Sequence, residues 1–155
     1  MQALLSLILS WLVINTGLPA ADTIPQVAFV SSAKMAEVRY QRLQPSRPDQ
    51  ADFEAARAKP PDSFEDVYAI YDAPGGTIYL SEGWRADSPV DVSVLVHELV
   101  HHLQHAAGLD YACPAAREKL AYQAQERWLN LFETSLVEEF ELDAMTLLLR
   151  TKCMH

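Results

Sequence analysis

The chain has 155 residues and a formal net charge of -9. That length fits one compact domain and is short for two ordinary ones. The acidic balance leaves no basic surplus to neutralise phosphates, which argues against a nucleic-acid partner and favours solubility.

Met1 to Ala21 contains no Asp, Glu, Lys or Arg, and Ala3 to Ile14 is apolar apart from Ser6 and Ser10. The small-residue stretch Leu18-Pro19-Ala20-Ala21 then precedes the first charge, Asp22. Residues 1–21 read as the apolar core and cleavage region of a secretory signal peptide. The expectation is an exported protein, periplasmic or secreted, whose residues 22–155 form a single domain with no stable membrane span. An N-terminal membrane anchor is the alternative, although Ser6, Ser10, Asn15 and Thr16 make a poor span for a bilayer that needs about 20 apolar residues. A buried N-terminal helix fits less well, because the stretch is apolar on every face.

Ser31 to Leu43 carries Met35, Val38 and Leu43 among charged residues and reads as an amphipathic helix. Pro45, Pro48, Pro60 and Pro61 bracket a loop in which Gln50 to Ala58 reads as a short helix. Val67 to Tyr71 and Thr77 to Leu80 are β-branched and aromatic runs. They flank the turn signal Asp72-Ala73-Pro74-Gly75-Gly76, so a hairpin is expected. The strand Thr77 to Leu80 is a candidate edge for holding an extended substrate.

Ser88-Pro89-Val90-Asp91 is a helix start. Ser88 can cap free amides, Pro89 suits the first helical position, and Asp91 completes a capping box. The helix is expected to run to about Ala107, with Gly108 ending it. Within it lies His97-Glu98-Leu99-Val100-His101, of the form H-E-x-x-H. Residues four apart on a helix sit about one turn up and about 40° around, so both imidazoles can face one ion. Zinc asks this of two nitrogen ligands about 2 Å away. Glu98, about 100° from His97, can hold and deprotonate an ion-bound water without being a ligand.

Placed at about 100° per residue, Val92 to Ala107 divides into two arcs. Leu95, Leu99, Leu103, Val92, Val96 and Val100 share one. The other holds His97, Glu98, His101, His102, Gln104 and His105, with Val94 among them. A solvated face is usually built from Lys, Glu and Asp, whereas this one has four histidines and no lysine. His105 would lie about 12 Å along the axis from His97, too far to share an ion, and no glycine breaks the helix before it. His102 and His105 are therefore rim or supporting groups, or simply exposed, and Gln104 can face either the cleft or solvent.

A second helix is expected from Pro114 to about Phe132, and a third from Ser135, with Glu138 as capping partner and a core face of Leu136, Phe140, Leu147 and Leu148. A catalytic zinc keeps three protein ligands and one open position. Glu118, with the small Ala121 after it, is the favoured third ligand, and Glu126, Glu138 and Glu141 are the alternatives. Tyr111 and Tyr122 are candidate donors to an oxyanion. Cys113 and Cys153 form an even pair, which in an oxidising compartment implies a bridge.

His97 to His101 and Glu118 to Ala121 resemble the gluzincin class of zinc metallopeptidases, in which H-E-x-x-H is followed on a later helix by a ligand Glu, often as E-x-x-A. The stretches Leu95 to Gln104 and Ala121 to Gln125 are similar to a small family of exported bacterial proteins of uncharacterised function, over Val67 to Cys153. The resemblance implies one zinc ion held by His97, His101 and Glu118, with Glu98 as general base.

The fold class expected is α+β: a small hairpin or sheet packed with three or more helices, a minimal zincin-like domain with the motif on a central helix. The function expected is hydrolysis of peptide bonds in a peptide or protein substrate through a zinc-bound water. The alternative is an exported, non-catalytic zinc-binding domain that recognises a partner or buffers zinc. A third reading is a structural domain without metal.

Overall fold

The computed structural model describes residues 1–43 and 69–153. The expected short helix at Gln50 to Ala58, its bracketing prolines, and Val67 and Tyr68 of the first expected strand lie outside them. The described residues form an α+β protein, as expected, with six helices and a three-stranded mixed sheet. They divide into two compact units: Gln26–Trp84, and Met1–Pro25 together with Arg85–His155.

The sheet unit holds β1 (Gln26–Val30), the second helix of the chain, α2 (Ser32–Leu43), β2 (Ala69–Asp72) and β3 (Thr77–Ser81). The Ser31 hydroxyl accepts from the Lys34 amide and so caps α2. The expected hairpin is present, with Ile70 opposite Tyr79 and Asp72 opposite Thr77. Its turn favours glycine at Gly76 by backbone conformation, and at Gly75 any side chain would have to displace that of Asp72. Gly76 has φ +57, and a Cβ at Gly75 would stand 2.6 Å from the Asp72 carboxylate. Met35, Val38 and Ile70 form the unit's core, joined by Val30 and Tyr79.

β3 is not an edge. Gln26–Val30 pairs with it in parallel, opposite Thr77–Ser81, giving the order β1-β3-β2. Both sides of β3 are hydrogen-bonded, so the expected strand addition of a substrate at Thr77 to Leu80 is ruled out along the paired length. β1 carries little signal in the sequence, because Gln-Val-Ala-Phe-Val is short and its partner lies some 50 positions away in the chain, as the pairing of Gln26 with Thr77 shows.

The helical unit contains α1 (Gln2–Thr16), α3 (Pro89–Ala106), α4 (Pro114–Asn130), α5 (Leu136–Phe140) and α6 (Ala144–Thr151). α3 follows its expected bounds. The Asp91 amide donates to the Ser88 side chain at 3.1 Å, and Gly108 follows the helix at φ +63. Leu95, Val96, Leu99, Val100 and Leu103 are completely buried. α4 packs along α3, its Ala121 and Ala124 sealed in the unit's interior.

α1 has no polar face, yet Leu5, Ile8 and Leu12 are fully buried while Leu7 and Ile14 are exposed. Trp11 meets Trp128 edge to face at 5.4 Å, and the Arg127 guanidinium donates to the Asn15 carbonyl. No helix among the described residues is long and apolar enough to cross a membrane.

The helix expected to begin at Ser135 is two helices. Ser135 and Glu138 do make the expected cap. Glu141 then turns left-handed at φ 53, its amide and that of Leu142 return to the Leu136 carbonyl, and Asp143 caps a new helix through the Thr146 amide. The break lets Leu142 join Leu129 and Leu136 in one buried cluster, which a continuous helix would not allow. Cys113 and Cys153 are bridged, joining the N-terminal cap of α4 to the residues just after α6.

Candidate metal centre

α3 and α4 run antiparallel, and their facing sides carry the site. Trp128 Nε1 donates to the Pro89 carbonyl at 3.1 Å at one end of the pair. Gln104 Nε2 donates to the Arg117 carbonyl at 2.9 Å at the other. Between these ties, His97 and His101 project from α3 and Glu118 from α4. One oxygen of Glu118, Oε2, lies 3.1 Å from His97 Nε2 and 3.1 Å from His101 Nε2. The other oxygen, Oε1, accepts from Arg117 Nε at 3.2 Å. One ligand atom from each of His97, His101 and Glu118 falls within 4.8 Å of the others, so the three could hold a metal ion.

The side chains of His101 and His97 are 3% and 11% exposed, and that of Glu118 is 23% exposed. Glu118 is thus the most solvent-accessible of the three. Glu98 is buried beside it on α3. Burial alone would raise the Glu118 carboxyl pKa, but the bonds from His101 and His97 and their charge outweigh it and hold the group well below the usual carboxylate range. Burial alone would lower His101. Its bond to Glu118, the charges of Glu98 and Glu118, and a bond to Gln104 prevail and raise it to about 9.

The other candidates are placed elsewhere. Glu126 Oε2 accepts from the Leu136 amide at 2.7 Å, tying α4 to α5. Glu138 belongs to the Ser135 cap, and Glu141 is the exposed left-handed end of α5. His105 is exposed in the last turn of α3. His102 is buried, its Nε2 donating to the Thr23 carbonyl at 2.8 Å, and burial lowers its pKa. Tyr122 packs its ring edge-on against His97 at 4.7 Å, and its hydroxyl accepts from Arg150 Nη1 at 3.1 Å. Tyr111 is exposed, and its hydroxyl bonds the Gln104 side chain.

Two buried residues had no assigned role in the sequence reading. Gln125 Oε1 lies 3.1 Å from His97 Nδ1, and Gln104 Oε1 lies 2.9 Å from His101 Nδ1. Gln104 carried a weak signal, since it stands one helical turn after His101. Gln125 lies on another helix, and only the packing of α4 on α3 brings it to His97.

Fold and site together define a small α+β protein with a His-His-Glu cluster held between two antiparallel helices. All of the chain, residues 1–155, matches a family model described as a domain of unknown function, DUF6647, and the chain belongs to that family. No curated protein and no solved structure matches it.

Proposed function

We propose that this chain is an exported zinc-dependent peptidase. The observation that carries the reading is the convergence of His97, His101 and Glu118 on one point, with Glu98 adjacent in the H-E-x-x-H turn. Two imidazoles and a carboxylate are a donor set suited to a catalytic zinc that keeps a fourth position open. A zinc ion there would supply a Lewis acid and bring the pKa of water toward neutrality.

The chain's own residues do the rest. Arg117 holds Oε1 of Glu118, which leaves Oε2 aimed at the two imidazoles. Glu98 takes the proton from the attacking water and returns it to the departing amine. A peptide or protein substrate would approach from the side of Glu118, the most accessible of the three residues. Export is supported by the disulfide, a bond that persists in oxidising compartments, and by the charge-free stretch from Met1 to Ala21.

Elemental analysis of the purified protein, paired with a broad peptide library, tests this. One zinc per chain is expected, with hydrolysis by the wild type and none by Glu98→Gln, which should keep its zinc. Activity surviving in zinc-loaded Glu98→Gln would overturn the general-base role. Zinc without hydrolysis of any peptide would favour a partner-recognising zinc domain instead. Protein that takes up no metal would overturn the reading as a whole.

A further inference from the structure

We propose that Gln104 and Gln125 are a matched pair of positioning residues that fix both imidazoles with Nε2 toward the ion, and that they do so as neutral amides. This inference rests on the metal reading above and extends it to residues outside the motif.

The orientation of each amide follows from what it meets at its far end. Gln104 Nε2 is 2.9 Å from the Arg117 carbonyl, a group that can only accept. The nitrogen must therefore face Arg117, and Oε1 faces His101 Nδ1. Gln125 is oriented through a hydroxyl. The Ser93 hydroxyl gives its proton to the Val90 carbonyl at 2.7 Å, so toward Gln125 it can only accept. Gln125 Nε2 donates to it at 3.2 Å, and Oε1 is left to accept from His97 Nδ1. Both imidazoles consequently carry hydrogen on Nδ1 and present Nε2 to Glu118 and to the ion.

All three supporting residues, Gln104, Gln125 and Ser93, are buried, with exposures of 3%, 4% and 0%. Among the described residues no buried side-chain nitrogen or oxygen lacks a partner. A buried glutamine survives only when both ends are bonded, and here each spends its oxygen on a histidine. Groups that orient a ligand imidazole in this way typically change metal affinity by about 10–100-fold when removed. A carboxylate in the same place would add negative charge beside the ion, whereas an amide adds none; the charged side chain bonded to both imidazoles is that of Glu118.

The far-end partners predict opposite responses to one substitution. In Gln125→Glu, the new oxygen meets the Ser93 hydroxyl, which can rotate and donate. In Gln104→Glu, it meets, at 2.9 Å, the Arg117 carbonyl, which cannot donate and repels it even where the exposed Tyr111 hydroxyl turns to donate. Zinc(II) affinity measured by chelator competition should therefore stay within threefold of wild type, or tighten, for Gln125→Glu, and fall about tenfold or more for Gln104→Glu. Gln104→Ala and Gln125→Ala should each fall about 10–100-fold. In 15N spectra of the imidazoles, wild type should show Nδ1–H on His97 and His101, and each alanine variant should lose that pattern at its own histidine alone.

Equal responses of the two glutamate variants would overturn the proposal, as would alanine variants with wild-type affinity and unchanged spectra. Wild-type protein that binds no zinc would sink the metal reading; the imidazole spectra of that same protein, taken at a pH where both rings are neutral, would still decide whether the two amides set the tautomers.

Discussion

Glu118 Oε2 stands 3.1 Å from His101 Nε2 although the two residues are 17 positions apart and on different helices. That contact is what raises the His101 pKa against the effect of its burial. It also makes Glu118 testable apart from any reaction. In metal-free Glu118→Gln, His101 should titrate well below 9, moving toward the 6.5 of an ordinary histidine, as read from its imidazole resonances. A value that stays near 9 would mean that Glu98 supplies the field instead. Zinc affinity should drop sharply in the same variant.

The same pair sets how metal-free stability responds to pH. His101 has a folded pKa above its unfolded value, so its contribution is fully present below about 6.5 and is lost as pH rises through about 9. Glu118 has the opposite sign: its folded pKa is depressed, and its contribution is present above the ordinary carboxylate pKa and lost as pH falls below it. Urea unfolding of metal-free protein should therefore show greatest stability between about pH 5 and pH 7, declining on both sides. A stability that rises steadily to pH 10 would contradict the pairing.

Leu12 tests whether α1 is part of the fold in the full-length chain. It is fully buried, so Leu12→Ala should cost about 2–5 kcal/mol in denaturant unfolding. Ile14→Ser, two residues on and 82% exposed, should change stability by no more than about 0.5 kcal/mol. Equal and negligible effects would show that α1 does not contribute to the core.

Cys153→Ser opens a bridge with a sequence separation of 40. The chain-entropy estimate for a loop of that size is about 4 kcal/mol, and unfolding should shift accordingly relative to the oxidised wild type. Dithiothreitol applied to wild type should reproduce the loss. Unchanged stability under both treatments would show that the bridge constrains nothing.

Glu141 holds a left-handed backbone at φ 53, a region that costs a residue with a Cβ about 1–2 kcal/mol. Glu141→Gly should raise stability by about 0.5–1 kcal/mol, part of the relief being offset by glycine's greater unfolded-state freedom. A loss of stability would mean that the Glu141 side chain itself holds the turn.

What could be read from the chain alone was what is local to it. Ser88, Pro89 and Asp91 announce a helix start within four residues, and His97 and His101 announce a shared face within five. Glu118 was favoured over Glu126, Glu138 and Glu141 by the E-x-x-A resemblance together with the close packing that the small Ala121 permits, and it is the carboxylate that meets both imidazoles. β1 was not, since Gln26–Val30 has meaning only through Thr77–Ser81. The break at Glu141 was hidden because Leu147 and Leu148 continue an acceptable helical pattern, and only the burial of Leu142 favours interrupting it. Gln125 was missed for a related reason. A glutamine in a helix looks like a surface residue until the partner of its oxygen is known.

The ties from Trp128 to Pro89, Gln125 to Ser93, His101 to Glu118 and Gln104 to Arg117 lie in order along two antiparallel helices. They work as a ladder with its rungs on both sides of the cluster, so a slip of one helix along the other would break every rung together. The connecting residues Leu109 and Asp110 are exposed and carry none of the ladder's partners. Lengthening or shortening that connection should therefore leave the ligand geometry intact, which makes the helix pair, and not its turn, the unit that relatives must keep and that could be transplanted to another scaffold.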